Sequence, residues 1–319
     1  MTLARLLLAL SAFIGSAGAA FAQSPAPAAP IAPAALSAPA PPIAPDFPPP
    51  PPGVHWMRYA RATEVQLRGV AAVVYVTPQS RPDIEVAVAH RGGVPGIELS
   101  ARGRRLQIDG RLEREIGACR VEPNGAFQVQ VGDNWLGADR LPTIYLRVPL
   151  EANISVAGAV QVRMQRGQSV RLNMSGCGDA DLEGVDGAAD ITVAGDRPRV
   201  RLYDSGAAAI RIAGDGDILL GVVRESLAVS IAGDGDFVAA HVDGPTNIAI
   251  TGDGEALVRE GRAQPMSVTI LGEGRVTHNG EADRLDVAIF GDGAVRVREV
   301  NGPVSRRIFG DGSVIVGGS

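Results

Sequence analysis

The chain has 319 residues, a formal net charge of −5 and 20% charged residues. It has neither the basic excess of a nucleic-acid binder nor a polyacidic tail, so no nucleic-acid partner is expected. With 40 glycines and only 4% aromatic residues, it should form many tight turns around a core of Val, Ile, Leu and Ala.

The first element is an address label. Arg5, an apolar stretch from Leu6 to Ile14 and the small-residue site Ala20-Phe21-Ala22 read as a signal peptide over 1–22, with export to the periplasm or the cell surface. The apolar run is too short for a membrane span, and no later segment approaches the roughly 20 apolar residues that one needs. Residues 23–53 are almost entirely Pro and Ala, ending in Pro48 to Pro52. Proline fixes φ and removes backbone donors, so this stretch is expected to be an extended polyproline spacer. In an oxidising compartment Cys119 and Cys177, the chain's two cysteines, are the pair for a disulfide. Their separation matches no C-x-x-C motif, which sets aside zinc and thioredoxin-like chemistry.

Residues 54–150 alternate apolar and polar positions between turns, as in Val73-Val74-Tyr75-Val76 and Ile84-Glu85-Val86-Ala87-Val88. These are strand signatures, and they predict irregular first coils and a cap for a more regular C-terminal region. Residues 151–319 hold the repeat. Gly-x-Gly recurs at Gly176, Gly214, Gly233, Gly252, Gly272, Gly291 and Gly310, in steps of 19 apart from one step of 20 into Gly272. Between Gly176 and Gly214 lies a degenerate copy, Gly195-Asp196-Arg197, and Gly158 is a further weak one.

Apolar residues fall two and four places before the first glycine, as in Ile210/Ile212 and Ile248/Ile250, and two and four after the second, as in Ile218/Leu220 and Val295/Val297. Period-2 alternation on both sides of a turn means two strands, each with one buried face. A second turn is expected at Asp186-Gly187, Asp243-Gly244-Pro245, Asn279-Gly280 and Asn301-Gly302-Pro303. A single coil is too thin to bury its own core, so neighbouring coils must stack. The fold class is therefore all-β: a parallel β-helix (β-solenoid) of about 19 residues per coil, right-handed because β-crossovers almost always are. Arg306 stands where every intact copy has an aliphatic residue, which marks a terminal coil. The chain ends seven residues after Gly312, so no translocator barrel is expected to follow.

This arrangement resembles the head GIN domain family, a group named for auto-transporter adhesins. The likeness rests on the strand pair Glu64-Val65-Gln66-Leu67 and Val73-Val74-Tyr75-Val76, on Gly103-Arg104-Arg105-Leu106-Gln107-Ile108, and on Tyr145-Leu146-Arg147-Val148-Pro149. The Gly-Asp-Gly series completes it, and the match spans residues 60 to 316. The resemblance implies a right-handed β-helix in the cell envelope or at the surface, and little chemistry.

The turn acids Asp215, Asp234, Asp253, Glu273, Asp292 and Asp311 should stack along one edge about 4.8 Å apart. Two readings stand. Asp between glycines suits solvated turn geometry, while a partly buried ladder would need cations, with calcium the fitting ion for loose oxygen ligation. A second row is expected at Asp179, Asp217, Asp236 and Glu255.

No G-x-S-x-G, H-E-x-x-H or P-loop is present, and no cofactor is implied. The four histidines are scattered, with His241 and His278 expected at the surface or the core edge. Trp56, Trp135 and Tyr203 are the aromatics to inspect for glycan contact. The leading expectation is a non-enzymatic envelope or surface protein that binds a protein, a glycan or another envelope component. Its alternatives are a polysaccharide-active β-helix, which would show a cleft with convergent acids and an arginine, and a calcium-binding solenoid. Exposed terminal edges would also permit end-to-end self-association.

Overall fold

The computed structural model describes residues 47–122, 126–195 and 197–317. The expected signal peptide (1–22), the spacer up to residue 46 and Asp196 of the degenerate turn lie outside them.

The described chain is all-β. Eighteen strands form one sheet that winds as a solenoid of about nine turns, and three more form a separate antiparallel sheet. Parallel pairing runs coil onto coil, so that Val193, Ile212, Ile231, Ile250, Ile270 and Ile289 are successive partners in one buried column. Fully burying a side chain of this size stabilises by about 1.5–3 kcal/mol relative to leaving it exposed. Two such columns precede the glycine turn and two follow it, as the alternation requires, and further buried columns near the second corner, Leu227-Thr246-Met266-Leu285 among them, complete the interior.

The two glycines of each turn do different work. The first takes a left-handed φ, from +98° at Gly214 to +129° at Gly310, where a Cβ is strained. The second is buried against the coil below: a Cβ at Gly254 would meet Ile231 Cγ2 at 2.7 Å, and one at Gly293 would meet Ile270 Cγ2 at 2.7 Å.

The second corner differs from expectation. Strands Arg199–Gly214, Asp217–Ala232, Asp236–Thr251 and Glu255–Leu271 each run through it unbroken. The chain bends there without reversing, and register shifts such as that between Gly244 and Thr246 absorb the change of direction. That shift also takes up the extra residue of the 20-residue step, because Gly244 pairs with Ala263 and Thr246 with Met266.

The solenoid begins earlier than its glycine signature. Glu64–Gln79 is one continuous strand, not a pair, and it carries the left-handed Gly69 within it. It pairs in parallel with Glu151–Met164 and with the shorter Arg105–Asp109 and Thr143–Pro149. Antiparallel strands then close this end. Glu98–Arg102 lies on Arg105–Asp109, Ile84–Ala89 on Thr143–Pro149, and Met57–Tyr59 on Ile84–Ala89. Buried Asp83 ties the cap to the chain through Arg58 and Arg81. Hydrogen bonding to Arg58 is the chief influence holding its carboxyl below the usual range.

The smaller sheet, Ile116–Val121, Phe127–Val131 and Asn134–Gly137, covers an outer face of the first coils. Phe127, Val129, Leu136 and Leu141 pack against Ala71 and Ala159 of two solenoid strands. The expected disulfide joins Cys119 of this sheet to Cys177 of the solenoid, with Cα atoms 5.8 Å apart.

At the far end, Val304–Phe309 pairs only with Leu285–Phe290 among the described residues, and Ser313–Val316 only with Ala294–Val300. Arg306 sits on the Val287 column and is exposed, as its place in a terminal coil predicts.

Candidate functional site

The six turn acids fall where the repeat puts them. Asp215, Asp234, Asp253, Glu273, Asp292 and Asp311 lie along one edge, none of them buried. The stacked turns bond to each other through the backbone, with Gly254 N–H donating to Gly233 O and Gly274 N–H to Gly252 O, each at 3.1 Å. In the last turn the acid joins in: Asp311 N–H donates to Asp292 Oδ1 at 3.2 Å. Among the described residues no three His, Cys, Asp or Glu side chains converge closely enough to hold a metal ion.

The expected second acidic row is corrected by the register. Asp179 pairs with Arg199, and Arg199 with Asp217, so a cation interrupts the row. Asp217, Asp236 and Glu255 remain consecutive, and Arg199 bonds Asp217 at 3.3 Å. Burial first, then the carboxylates of Asp217 and Glu255, push Asp236 above the ordinary carboxylate range.

A mixed-charge cluster that the repeat did not disclose lies beside the smaller sheet. Two outward columns meet there. One runs Thr143, Val73, Gln161, Asp179, and the other Tyr145, Tyr75, Arg163, Asp181, Arg201. Arg201 bonds Asp181 at 2.6 Å and stands 3.6 Å from Asp179, while Arg163 reaches Asp181 only at 3.9 Å. Asp179 is 2% exposed, and its Oδ1 has no hydrogen-bond partner. Burial, then Asp181, raise its pKa against the pull of Arg201, Arg199 and Arg163. Tyr203, one of the aromatics singled out from sequence, also borders this cluster; burial first, then Asp181, raise its hydroxyl pKa.

Next to the cluster a cleft of about 390 Å³ opens between the solenoid face and the loop after Asn134–Gly137. Its lining includes Tyr75, Arg91, Asp139, Thr143, Gln161 and Arg163. A larger groove of about 860 Å³ follows the second corner near Arg81, Arg104 and Arg171. The cations there are engaged: Arg81 with Asp83 and Glu85, Arg171 with Asp190 and Arg104 with Thr63.

The other aromatics are placed differently. Arg147 covers the Trp56 ring at 4.0 Å, and exposed Trp135 carries Arg120 at 4.5 Å. On another face Leu271, Phe290 and Phe309 form an exposed outward column, with the two phenylalanine rings stacked at 5.1 Å.

His278 is a second correction. It is fully buried in the inward column between Val258 and Val297, and its ring nitrogen Nε2 is 3.0 Å from Glu281 O. Desolvation lowers its pKa. The same register that identified the other inward positions places it there, four residues after Gly274.

No protein-family model and no curated protein matches the chain. Solved structures do. A protein of Parabacteroides distasonis ATCC 8503, described as a "putative adhesin", aligns with TM-score 0.53 and 17% identity over 82% of this chain and 95% of its own. One from Parabacteroides merdae ATCC 43184 with the same description aligns with TM-score 0.50 and 16% identity over the same shares. A third, described as a "putative lipid binding protein" of Parabacteroides distasonis ATCC 8503, gives 0.50 and 18%, again over those shares. At these identities the likeness is one of fold.

Proposed function

We propose that the chain is an exported, non-enzymatic binding protein of the cell envelope or surface, an adhesin-like solenoid that holds a partner on its outward faces. The observation that carries this reading is the coil-on-coil stacking from Gly214 to Gly312, in which the strands flanking each glycine turn keep register and the shifts fall toward the second corner. It lays side chains in straight outward columns and spreads the turn acids along an edge, so that they do not converge in a pocket. A rigid surface with a constant repeat suits an extended partner, as stacked-repeat proteins generally do. The descriptions of the solved neighbours, two as "putative adhesin" and one as "putative lipid binding protein", support binding over turnover. Described residues contain no helix long and apolar enough to cross a membrane. The signal-peptide signature at 1–22 supports export.

Cosedimentation of the full chain with isolated bacterial envelopes tests the reading. Saturable pelleting is expected. Loss of pelleting after periodate treatment would identify a glycan partner, and loss after protease a protein one. A chain that stays in the supernatant at every envelope concentration would overturn the proposal.

A further inference from the structure

The cleft beside the smaller sheet has the makings of a binding site for a charged sugar. It lies where the repeat is interrupted: the disulfide-tied sheet covers the column of Ala71, Ala159 and Cys177, and the next outward columns are left open at its margin. Its volume falls within the roughly 300–1,000 Å³ typical of small-ligand clefts.

The cations at this cleft are under-paired. Arg91 is exposed and makes no ion pair among the described residues. Arg163 has one carboxylate within ion-pair distance, Asp181 at 3.9 Å, and that carboxylate is already bonded by Arg201 at 2.6 Å. The aspartates behind the cleft therefore position Arg163 and Arg201 without saturating Arg163. Other arginines are matched at short range, as Arg166 is by Asp204, Arg262 by Asp283 and Arg284 by Asp286. The chain contains no lysine, and the planar fork of arginine suits a carboxylate bidentately.

The rest of the lining is neutral and hydrogen-bonding. Gln161 and Thr143 are buried polar residues of the floor, Tyr75 is half-buried, and Asp139 is an acceptor at the rim. A ligand that satisfies all of these carries one carboxylate for the two arginines and several hydroxyls for the amide, the hydroxyls and the rim carboxylate. We propose that this cleft binds a uronic acid residue of an acidic glycan, with Arg91 and Arg163 holding its carboxylate. The inference rests on the binding-protein reading above and names a ligand class for it.

Calorimetric titration of the full chain with tetragalacturonate tests the site, alongside Arg91→Ala, Arg163→Gln and, as a remote control, Arg284→Ala. Saturable binding is expected, weakened at least tenfold by each of the first two substitutions and unchanged by the third, with all four proteins melting at the same temperature. No binding by the unaltered chain would overturn the site, and so would binding that both cleft substitutions leave intact. If envelope cosedimentation persists while tetragalacturonate fails to bind, the site alone falls. Assaying the same mixtures for new reducing ends separates the two proposals in the other direction. Reducing ends that depend on Arg163 would keep the site and overturn the non-enzymatic reading.

Discussion

The coils from Gly214 onward and the coils before Cys177 are built on one core but carry different chemistry. In the later coils each turn repeats the last, the buried side chains are apolar apart from Thr246 and His278, and charged side chains lie along edges or in exposed pairs such as Arg262–Asp283 and Arg284–Asp286. In the earlier coils the chain leaves the helix to make an antiparallel cap and a second sheet, and buried polar groups gather there and just beyond: Asp83, Thr143, Gln161, Asp179 and Asp181. Stacking by a constant step brings like over like, which favours apolar ladders and offers no route to a convergent polar site. Convergence needs an interruption, and the smaller sheet supplies it.

Severing that sheet from the solenoid should have the largest effect. Cys119 and Cys177 close a loop with a sequence separation of 58, and removing such a link costs on the order of 4 kcal/mol in the chain-entropy model. In the double variant Cys119→Ser/Cys177→Ser, hydrogen exchange should accelerate in Ile116–Val121, Phe127–Val131 and Asn134–Gly137, while the strands after Gly214 keep their protection. Equal acceleration in both regions would show that they unfold as one unit and would dissolve the contrast.

The two regions also differ in how far the sequence discloses them. A turn that must be Gly-x-Gly, for φ at the first position and for contact with an Ile below at the second, recurs visibly, so the coil length, the inward columns and the terminal character of Arg306 could all be read from it. The first coil could not, because Glu64–Gln79 turns at Gly69 without a second glycine or an acid. Nor could the bend at the second corner: Gly244-Pro245 resembles a turn, yet the strand continues through it. The cluster of Asp179, Asp181, Arg163 and Arg201 depends on which residue of one coil lies over which residue of the next. The substitution of Arg197 for the second glycine of its turn hides that register. His278 is accessible from the repeat, since it stands four residues after Gly274 where the neighbouring copies carry Val258 and Val297.

Crowding in the regular region gives the next largest effect. Gly254→Ala would put a Cβ 2.7 Å from Ile231 Cγ2 and 2.8 Å from Gly235 O, and overpacking of this kind costs about 1–3 kcal/mol. Gly96→Ala in the cap region meets nothing within 4 Å and should stay within about 0.5 kcal/mol of the parent. Denaturant midpoints of the two variants measure the difference. Equal midpoints would mean that the glycine ladder is a matter of turn preference and not of coil spacing.

A smaller effect comes from the one histidine in the regular core. Burial holds the folded pKa of His278 below its ordinary value of 6.5. As pH falls below 6.5 the unfolded chain takes up a proton that the folded chain refuses, so stability declines, by at most about 1.4 kcal/mol per pH unit, until the folded pKa is passed. Above 6.5 the group has no effect on the pH dependence. His278→Val, which matches Val258 and Val297 on either side, should remove this decline. Melting temperatures between pH 7.5 and 5 check it, and an unchanged slope in the variant would assign the decline to another group.

Calcium should have the smallest effect, and it bears most directly on the contrast between the regions. Successive turn carboxylates about 4.8 Å apart repel by only roughly 1 kcal/mol in a water-like dielectric, and none of the six is buried. Solvation and the backbone amide of the next turn can meet that cost, as Asp292 and Asp311 show. After chelator treatment, added calcium is therefore expected to leave the melting temperature where magnesium leaves it. Binding to the folded state alone would raise stability by about 2.7 kcal/mol at a hundred times Kd, a shift large enough to see. A calcium-specific rise that disappears in Asp253→Asn would show that the regular edge holds ions. A constant step would then be enough to build a site where the step itself supplies the ligands, and convergence would no longer require an interruption of the repeat.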